Sequence, residues 1–232
     1  MGSTWNGARV PGVCSTGNVL SDSLYRAGDL LESGLSELGF AVDPGVTEAL
    51  MGLAQLLESW SQRINLTAHR SLESIVARLI LDAAALERVL PRACRIVDLG
   101  SGAGFPGLPL AVLRSDAEIL LVEAREKRHH FQRAAIRRLG MGTVRALRGR
   151  AERIAPEPGS LVVAQALAAP GQALDLALPW CEPGGWIALP GSPASPDPAS
   201  SPTIDLAERR PYTVPGGGPA RTVWLGRRIA SS

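Results

Sequence analysis

Four glycines lie within the eight residues Gly100–Gly107, and the apolar residues Ile96 and Val97 lead into them. Glycine loses more backbone freedom on folding than any other residue, so such a cluster marks a tight turn or the close approach of another group. Asp98 stands just before the cluster, and Pro106 suits the first turn of a helix. The segment predicts a strand, a glycine loop and a helix in direct succession.

The chain after Arg95 alternates β-like and helical runs, which indicates a parallel, doubly wound α/β sheet. Strands are predicted at 96–99, 118–122, 143–147, 160–164 and 185–189, with helices at 106–114, 126–139 and 172–178. Two further β-like runs, 204–213 and 221–229, flank a Pro-Gly tract, which predicts a closing hairpin. The Ser/Pro-rich segment 192–202 predicts a mobile loop.

The chain before this point shows helical periodicity without a β signal. Apolar spacing and capping residues predict three helices: one over 21–38, one from Asp43-Pro44 onward, and one from Ser71 to about Leu90. We therefore expect a disordered N-terminus over 1–20, a helical extension over 21–92 and an α/β domain over 93–230.

Composition limits the class of protein and its location. Three cysteines and three histidines are too few and too scattered for a metal site, and the isolated cysteines indicate reduced thiols in a cytoplasmic protein. We expect neither a membrane span nor a secretory signal.

The net charge is only +2, but residues 125–153 hold ten Arg or Lys residues and two acids. This basic block indicates an anionic partner such as nucleic acid, with a merely solvated helix face as the alternative.

The glycine loop follows the first predicted strand, where open α/β sheets bind ligands. Gly102–Gly107 satisfies the G-x-G-x-x-G pattern of dinucleotide sites, which alone is a weak signal. Asp98 favours S-adenosylmethionine instead, since a carboxylate attracts an ammonium and a sulfonium but repels a pyrophosphate. The stretch after Gly191 also leaves no room for a dehydrogenase's substrate domain. Glu123 ends the second strand, where an acid commonly binds a ribose diol. A loop that binds nothing is the third interpretation.

Several segments, in order, resemble the GidB/RsmG family, bacterial enzymes that methylate guanine N7 in small-subunit ribosomal RNA. Trp60–Ala68 resembles the family's Trp-Asn-x-x-x-Asn-Leu-Thr-Ala signature, and Val97–Gly107 is similar to its cofactor loop almost residue for residue. Glu123 with Lys127-Arg128 resembles its acid and Lys-Arg pair, and Gly149–Glu152 resembles its Gly-Arg-Ala-Glu segment. The resemblance covers roughly residues 30 to 229.

The resemblance implies a Rossmann-like class I S-adenosylmethionine-dependent methyltransferase fold in the α/β domain, with an N-terminal helical extension and a C-terminal β-hairpin. Gly100 and Phe105 would line the cofactor site, Glu123 would hold the ribose, and Ala151 with Glu152 would border the adenine. The full set expected at the cofactor is Asp98, Gly100, Gly102, Ala103, Gly104, Phe105, Glu123, Ala151 and Glu152.

The resemblance also implies the substrate, 16S ribosomal RNA or the small ribosomal subunit. Guanine N7 carries a lone pair, so methyl transfer requires alignment and exclusion of water rather than a general base, and we assign no catalytic residue. The base must be unstacked or already exposed. Asn65, Arg78, Lys127 and Arg128 are the expected RNA contacts. We expect a monomer without metal or membrane association.

Three positions depart from the family pattern. Leu79 stands in place of a histidine, Ala166 in place of an arginine and Pro190 in place of a lysine. The two lost cations, the arginine and the lysine, could each have contributed a charge-assisted contact to RNA. Three hypotheses follow: an active ribosomal RNA methyltransferase with divergent substrate contacts, a diverged paralogue that methylates another substrate, and a member that binds RNA or cofactor without turnover.

Overall fold

The computed structural model describes residues 16–230. Its α-helices are α1 Thr16–Glu37, α2 Pro44–Ser61, α3 Leu72–Ile75, α4 Leu81–Glu87, α5 Gly107–Leu113, α6 Glu126–Arg138 and α7 Pro170–Ala177. A π-helical turn, Val76–Ile80, joins α3 to α4, and a 3-10 turn, Leu178–Trp180, follows α7. Of the N-terminus predicted to be disordered, residues 1–15 lie outside the described residues, and residues 16–20 form the start of α1.

Seven strands form one sheet in the order β3-β2-β1-β4-β5-β7-β6. They are β1 Arg95–Leu99, β2 Glu118–Glu123, β3 Val144–Arg148, β4 Gly159–Val163, β5 Cys181–Gly191, β6 Ile204–Thr213 and β7 Ala220–Arg228. Strands β1 to β5 are parallel, and β7 pairs antiparallel with both β5 and β6. The predicted α/β sheet with its C-terminal hairpin is confirmed. The strand order reverses between β1 and β4, which is where this fold class binds ligands.

The third predicted helix contains a π-helical turn that the sequence pattern did not predict. The Leu81 amide donates to the Val76 carbonyl, five residues earlier. The pairs Ile75-Val76 and Ile80-Leu81 lie five residues apart, and all four side chains are fully buried. A π turn has a five-residue hydrogen-bond spacing, so it lets both pairs face the core.

The helical extension and the sheet share one hydrophobic core. Leu31, Leu53 and Ile80 of the extension pack in the same buried cluster as Ile96 and Leu121 of the sheet. The Trp60 and Phe131 rings meet edge to face with centroids 5.6 Å apart, which joins α2 to α6. The extension therefore packs directly against the sheet. This is the sheet whose switch point is where the fold class binds ligands.

Candidate functional site

The glycine loop runs from the end of β1 to the start of α5. The Gly100 and Ser101 amides both donate to the Val122 carbonyl on β2, at 2.9 and 3.1 Å. Gly100, Gly102 and Gly104 have φ values of 68°, 58° and 85°. Residues with a Cβ rarely adopt this left-handed region, so the loop conformation itself requires glycine at these positions.

Asp98 lies beneath this loop and is 1% exposed. One carboxylate oxygen accepts a hydrogen bond from the Gly107 amide at 2.8 Å, and the other has no partner within residues 16–230. Burial raises the pKa of Asp98 to about 7, while the Gly107 hydrogen bond opposes the rise and the nearby Glu123 charge adds to it. Asp98 thus fixes the junction of loop and helix and places a titratable group directly under the loop.

Glu123 lies at the end of β2 and holds its carboxylate against the loop. One oxygen accepts from the Arg125 amide at 2.7 Å, and the other accepts from the Gly102 amide at 2.9 Å. The Arg128 guanidinium stands 3.9 Å from the second oxygen. These contacts fix the orientation of a carboxylate whose residue is 5% exposed.

A cavity of about 240 Å³ opens at this edge, beside Glu123. Four of the nine residues predicted at the cofactor line it: Gly100, Glu123, Ala151 and Glu152. Arg128, predicted at the RNA, also lines it. Ala166, Leu167 and Leu176 line it too, although the sequence reasoning did not place them at the cofactor. Their positions after β4 and on α7 are the signal that could have found them, since all β-strand ends of a parallel sheet meet at one edge.

The other five predicted cofactor residues lie in or under the loop. Asp98, Ala103 and Gly104 are buried, and Gly102 contacts the cavity region through its bond to Glu123. Phe105 is half-buried and packs against the core shared with the helical extension. These five residues support the loop backbone and do not line the cavity.

Gln132 on α6 supports the loop from below, and the sequence reasoning missed it. Its side chain is fully buried, and Nε2 donates to the Ser101 hydroxyl and to the Gly102 carbonyl, both at 2.8 Å. The signal in the sequence was a glutamine next to Phe131, on the apolar face of a helix that is otherwise rich in charge. Gln132 therefore ties the glycine loop to the basic helix α6.

A second cavity, of about 300 Å³, lies beside the first, near the carboxyl ends of β4 and β5 and the start of β7. Ala166 lines both cavities, and its φ of 51° is left-handed although it carries a Cβ. Such a backbone conformation costs about 1–3 kcal/mol, and strain of this kind is concentrated at functional sites. Apolar residues and prolines form much of the lining of this cavity, which includes Ala168, Ala173, Leu189, Pro190, Pro196, Pro198 and Trp224.

A polar cluster borders the second cavity. The Arg221 guanidinium stands 3.5 Å from an Asp82 oxygen, and Gln165 Nε2 donates to the same oxygen at 3.5 Å. Burial raises the pKa of Asp82, and the Arg221 charge opposes the rise. Tyr212 lies close by, and its pKa is raised by burial and by the Asp82 charge. Residues from α4, the loop after β4 and the strands β6 and β7 thus meet at one edge of the sheet.

The residues predicted to contact RNA lie on three different segments: the stretch after α2, the π-helical turn and α6. Asn65 is exposed and accepts from Arg70 at 3.2 Å, and Arg78 is exposed on the π-helical turn. Burial, with a smaller effect from the Arg78 charge, lowers the pKa of His69. Lys127 is exposed at the start of α6, whereas Arg128 faces Glu123 at the first cavity. Of these four residues Arg128 lines the first cavity, whereas the other three are exposed outside its lining.

The three departures from the family pattern differ in position. Ala166 and Pro190 both line the second cavity, whereas Leu79 packs against the hydrophobic core. The lining of the second cavity retains two cations, Arg209 and Arg221, among the described residues. Two of the three changes therefore lie in one cavity next to the first.

Residues 16–230 contain no group of three or more His, Cys, Asp or Glu side chains placed to hold a metal ion. No helix in the described part of the chain is long and apolar enough to cross a membrane.

Comparison with known proteins assigns the chain to a family. The family model for rRNA small subunit methyltransferase G, GidB, matches residues 46–197. The chain belongs to this family. A relative named ribosomal RNA small subunit methyltransferase G, from Chromohalobacter salexigens, is 36% identical over 200 residues, which cover 85% of this chain and 96% of the relative. A relative of the same name from Geobacter sp. strain M21 is 34% identical and covers 88% of this chain and 99% of its own.

Solved structures agree with the fold. The S-adenosylmethionine-dependent methyltransferase SibL, in its apo form, superposes with a TM-score of 0.57. The match covers 92% of this chain and 77% of SibL at 16% sequence identity. At that identity the likeness supports the Rossmann-like sheet, and function has to be argued from the family and the site.

Proposed function

We propose that this chain is an S-adenosylmethionine-dependent methyltransferase that modifies guanine N7 in small-subunit ribosomal RNA. The observation that carries the proposal is the first cavity, where Glu123 faces the glycine loop in a chain of this family. Bacterial ribosomal RNA is modified in the cytoplasm, so we place the activity there.

The residues of the first cavity fit the adenosine part of this cofactor. Each Glu123 oxygen accepts one amide hydrogen bond, and a carboxylate can accept about four, so capacity is left for a ribose diol. Leu167, Leu176 and Ala151 offer apolar lining for a purine ring. The carboxylates of Glu123 and Glu152 also attract the positive charge of a sulfonium and an ammonium.

The chemistry requires little from the protein beyond placement. When bound, S-adenosylmethionine supplies a methyl carbon to the N7 lone pair, and the electrons of the C–S bond stay on sulfur. No proton leaves N7, so the product base carries a positive charge and no side chain has to act as a base. The loop backbone and Glu123 would orient the donor toward the acceptor nitrogen, which is the main contribution that the reaction needs from the protein.

RNA binding is supported by the basic side chains of α6. Lys127, Arg133 and Arg137 each lack an ion-pair partner in the described part of the chain, and Lys127 is exposed. The helix begins directly after β2, so its first turn lies at the same edge as the first cavity. Phosphate contacts from such a helix would position the substrate without reading its sequence.

A second candidate function is methylation of another substrate by a diverged paralogue. It is favoured by the loss of two family cations from one place, since Ala166 and Pro190 both line the second cavity. Cofactor binding would be unchanged in this case, because the lining of the first cavity retains Glu123, Ala151 and Glu152.

Calorimetric titration of the purified protein with S-adenosylmethionine tests the proposal, with Gly102→Asp as the variant. Gly102 has a φ of 58°, and its amide bonds to Glu123, so an aspartate adds backbone strain and a like charge beside the expected ribose ligand. We expect an affinity loss of at least about tenfold, equal to about 1.4 kcal/mol. Methylation of unmodified small subunits is then measured with native protein.

Gly140→Asp is the matched control, because Gly140 has a φ of 63°, no atom lies within 4 Å of where its Cβ would stand, and it does not line the first cavity. It carries the same backbone strain and the same added charge, and we expect cofactor affinity within about twofold of native. Native protein that binds no cofactor would overturn the proposal. Cofactor binding without methylation of small subunits would favour the second candidate.

A further inference from the structure

The second cavity combines an apolar lining with a small set of polar groups. Trp224, Tyr212 and Pro190 supply aromatic and apolar surface, while Gln165 and Arg221 supply polar groups. Small-molecule sites typically have this composition, with a few placed polar groups that fix orientation. Ala166 lines this cavity and the proposed cofactor cavity, so a group held here would lie next to the methyl donor.

Asp82 contacts both polar side chains, Gln165 and Arg221, and positions them. It is 6% exposed, and the same oxygen contacts both Gln165 Nε2 and the Arg221 guanidinium at 3.5 Å. Its other oxygen and the Arg221 Nε are buried without a hydrogen-bond partner among the described residues. Buried polar groups are nearly always paired, so the unpaired Arg221 Nε calls for an explanation such as a ligand that brings an acceptor to this side chain.

The contact with Asp82 determines which atoms the cavity can offer. Because the Gln165 amide nitrogen donates to Asp82, its carbonyl oxygen is left as an acceptor. Arg221 can offer only donors, since a guanidinium has no acceptor. The cluster therefore presents an acceptor beside a donor. A guanine presents N1–H and an amino group as donors beside the O6 acceptor, whereas adenine presents the reverse order at these positions.

We propose that the second cavity holds the acceptor guanine, flipped out of its RNA stack, and that Gln165 and Arg221, positioned by Asp82, recognise its Watson–Crick side. This inference rests on the proposed function and adds to it the source of base specificity. The Gln165 oxygen accepts from N1–H and the amino group, Arg221 donates to O6, and N7 faces the first cavity across Ala166. Enzymes that modify a base commonly hold it in such a pocket after unstacking it.

Gln165→Met tests the inference, because methionine keeps the length of the side chain and removes its polar atoms. We expect kcat/KM for methylation of unmodified small subunits to fall about tenfold or more, as one lost base-reading contact costs. The dissociation constant for S-adenosylmethionine should stay within about twofold of native, since Gln165 does not line the first cavity. Gln172→Met, at an exposed position on α7, is the matched control and should leave both quantities unchanged.

A double variant separates recognition from simple packing. Asp82→Asn with Gln165→Glu exchanges the carboxylate and the amide, so that the new amide at position 82 donates and the new carboxylate at position 165 still offers an acceptor to the cavity. We expect it to recover most of the kcat/KM lost in Gln165→Met, a rescue that a merely structural role would not give. The isosteric variant Asp82→Asn alone should lower kcat/KM with an unchanged melting temperature. It replaces Gln165→Met as the test variant if Gln165→Met does not fold.

The outcomes separate this inference from the proposed function. If native protein methylates small subunits but Gln165→Met and Asp82→Asn both stay within about twofold of it, the guanine pocket is wrong and the methyltransferase proposal stands. A double variant no better than Gln165→Met would overturn the hydrogen-bond assignment. If native protein binds cofactor but methylates no small subunit, the proposed substrate fails and this inference fails with it.

Discussion

At the scale of single residues, the buried carboxylate of Asp98 carries a pH-dependent cost in stability. Its carboxylate is fully buried, accepts one amide hydrogen bond and has a pKa raised to about 7. A carboxyl with a raised folded-state pKa binds more protons folded than unfolded between its two pKa values. The free energy of unfolding therefore falls as pH rises from about 4 to about 7. At neutral pH the buried Asp98 carboxyl thus lowers the stability of the folded protein.

Asp98→Asn should remove this dependence. The amide keeps the shape and can still accept from the Gly107 amide, but it does not titrate. Denaturant unfolding at pH 5 and pH 7 is the measurement, and native protein should lose more stability between these values than the variant, by a few kcal/mol at most, since one pKa unit is about 1.4 kcal/mol. Equal losses in both proteins would show that Asp98 stays ionised at pH 5. Asp116→Asn, on the loop before β2, serves as the control substitution.

At the scale of elements, the sequence predicted the strands and helices well but not the cooperation between them. Each predicted strand from 96–99 to 185–189 lies within or overlaps a strand of the sheet, because β-branched runs and glycine or proline boundaries are local signals. The π-helical turn was not predicted, since it depends on which residues of α3 and α4 face the core. The roles of Gln132 and Leu167 were also missed, because Gln132 holds a loop that is distant in sequence and Leu167 lines a cavity formed mostly by residues distant in sequence.

Gln132→Leu tests the link between α6 and the glycine loop. The change leaves the Ser101 hydroxyl and the Gly102 carbonyl without their buried donor, which costs about 1–3 kcal/mol of stability. We expect weaker S-adenosylmethionine binding as well, since the Gly102 amide holds Glu123. Denaturant unfolding and calorimetry measure the two effects. Gln55→Leu, at an exposed position on α2, should show neither, and native-like cofactor affinity in Gln132→Leu would exclude the link.

At the scale of the whole molecule, the candidate site is a product of topology. Glu123 and the glycine loop could be predicted because both follow strands that pair directly, so each lies at a strand end that the sequence marks. The second cavity could not be predicted, because Asp82 of α4, Gln165 after β4 and Arg221 of β7 meet only once the sheet order is known. In the sequence Ala166 and Pro190 are separate departures from the family pattern, and the fold brings both into the lining of the second cavity.

The distribution of charge over the whole molecule leads to a prediction on RNA binding. Arg145 is paired with Glu157 at 2.8 Å, whereas exposed Lys127 lies on α6 beside the first cavity and has no ion-pair partner in residues 16–230. Each cation that neutralises a phosphate contributes about 0.7 to 0.9 to the slope of log affinity against log salt, because it displaces a condensed counterion. Lys127→Gln should therefore reduce that slope by about this amount for small-subunit RNA measured by filter binding.

Arg145→Gln removes the same charge from an existing ion pair and should leave the slope nearly unchanged. The pair of variants thus distinguishes a located RNA surface from a general effect of net charge, which is only +2 for the chain. Equal slopes for Lys127→Gln and native protein would place the RNA away from the first turn of α6. Since α6 also holds the glycine loop through Gln132, an RNA bound there would contact the same element that supports the cofactor loop.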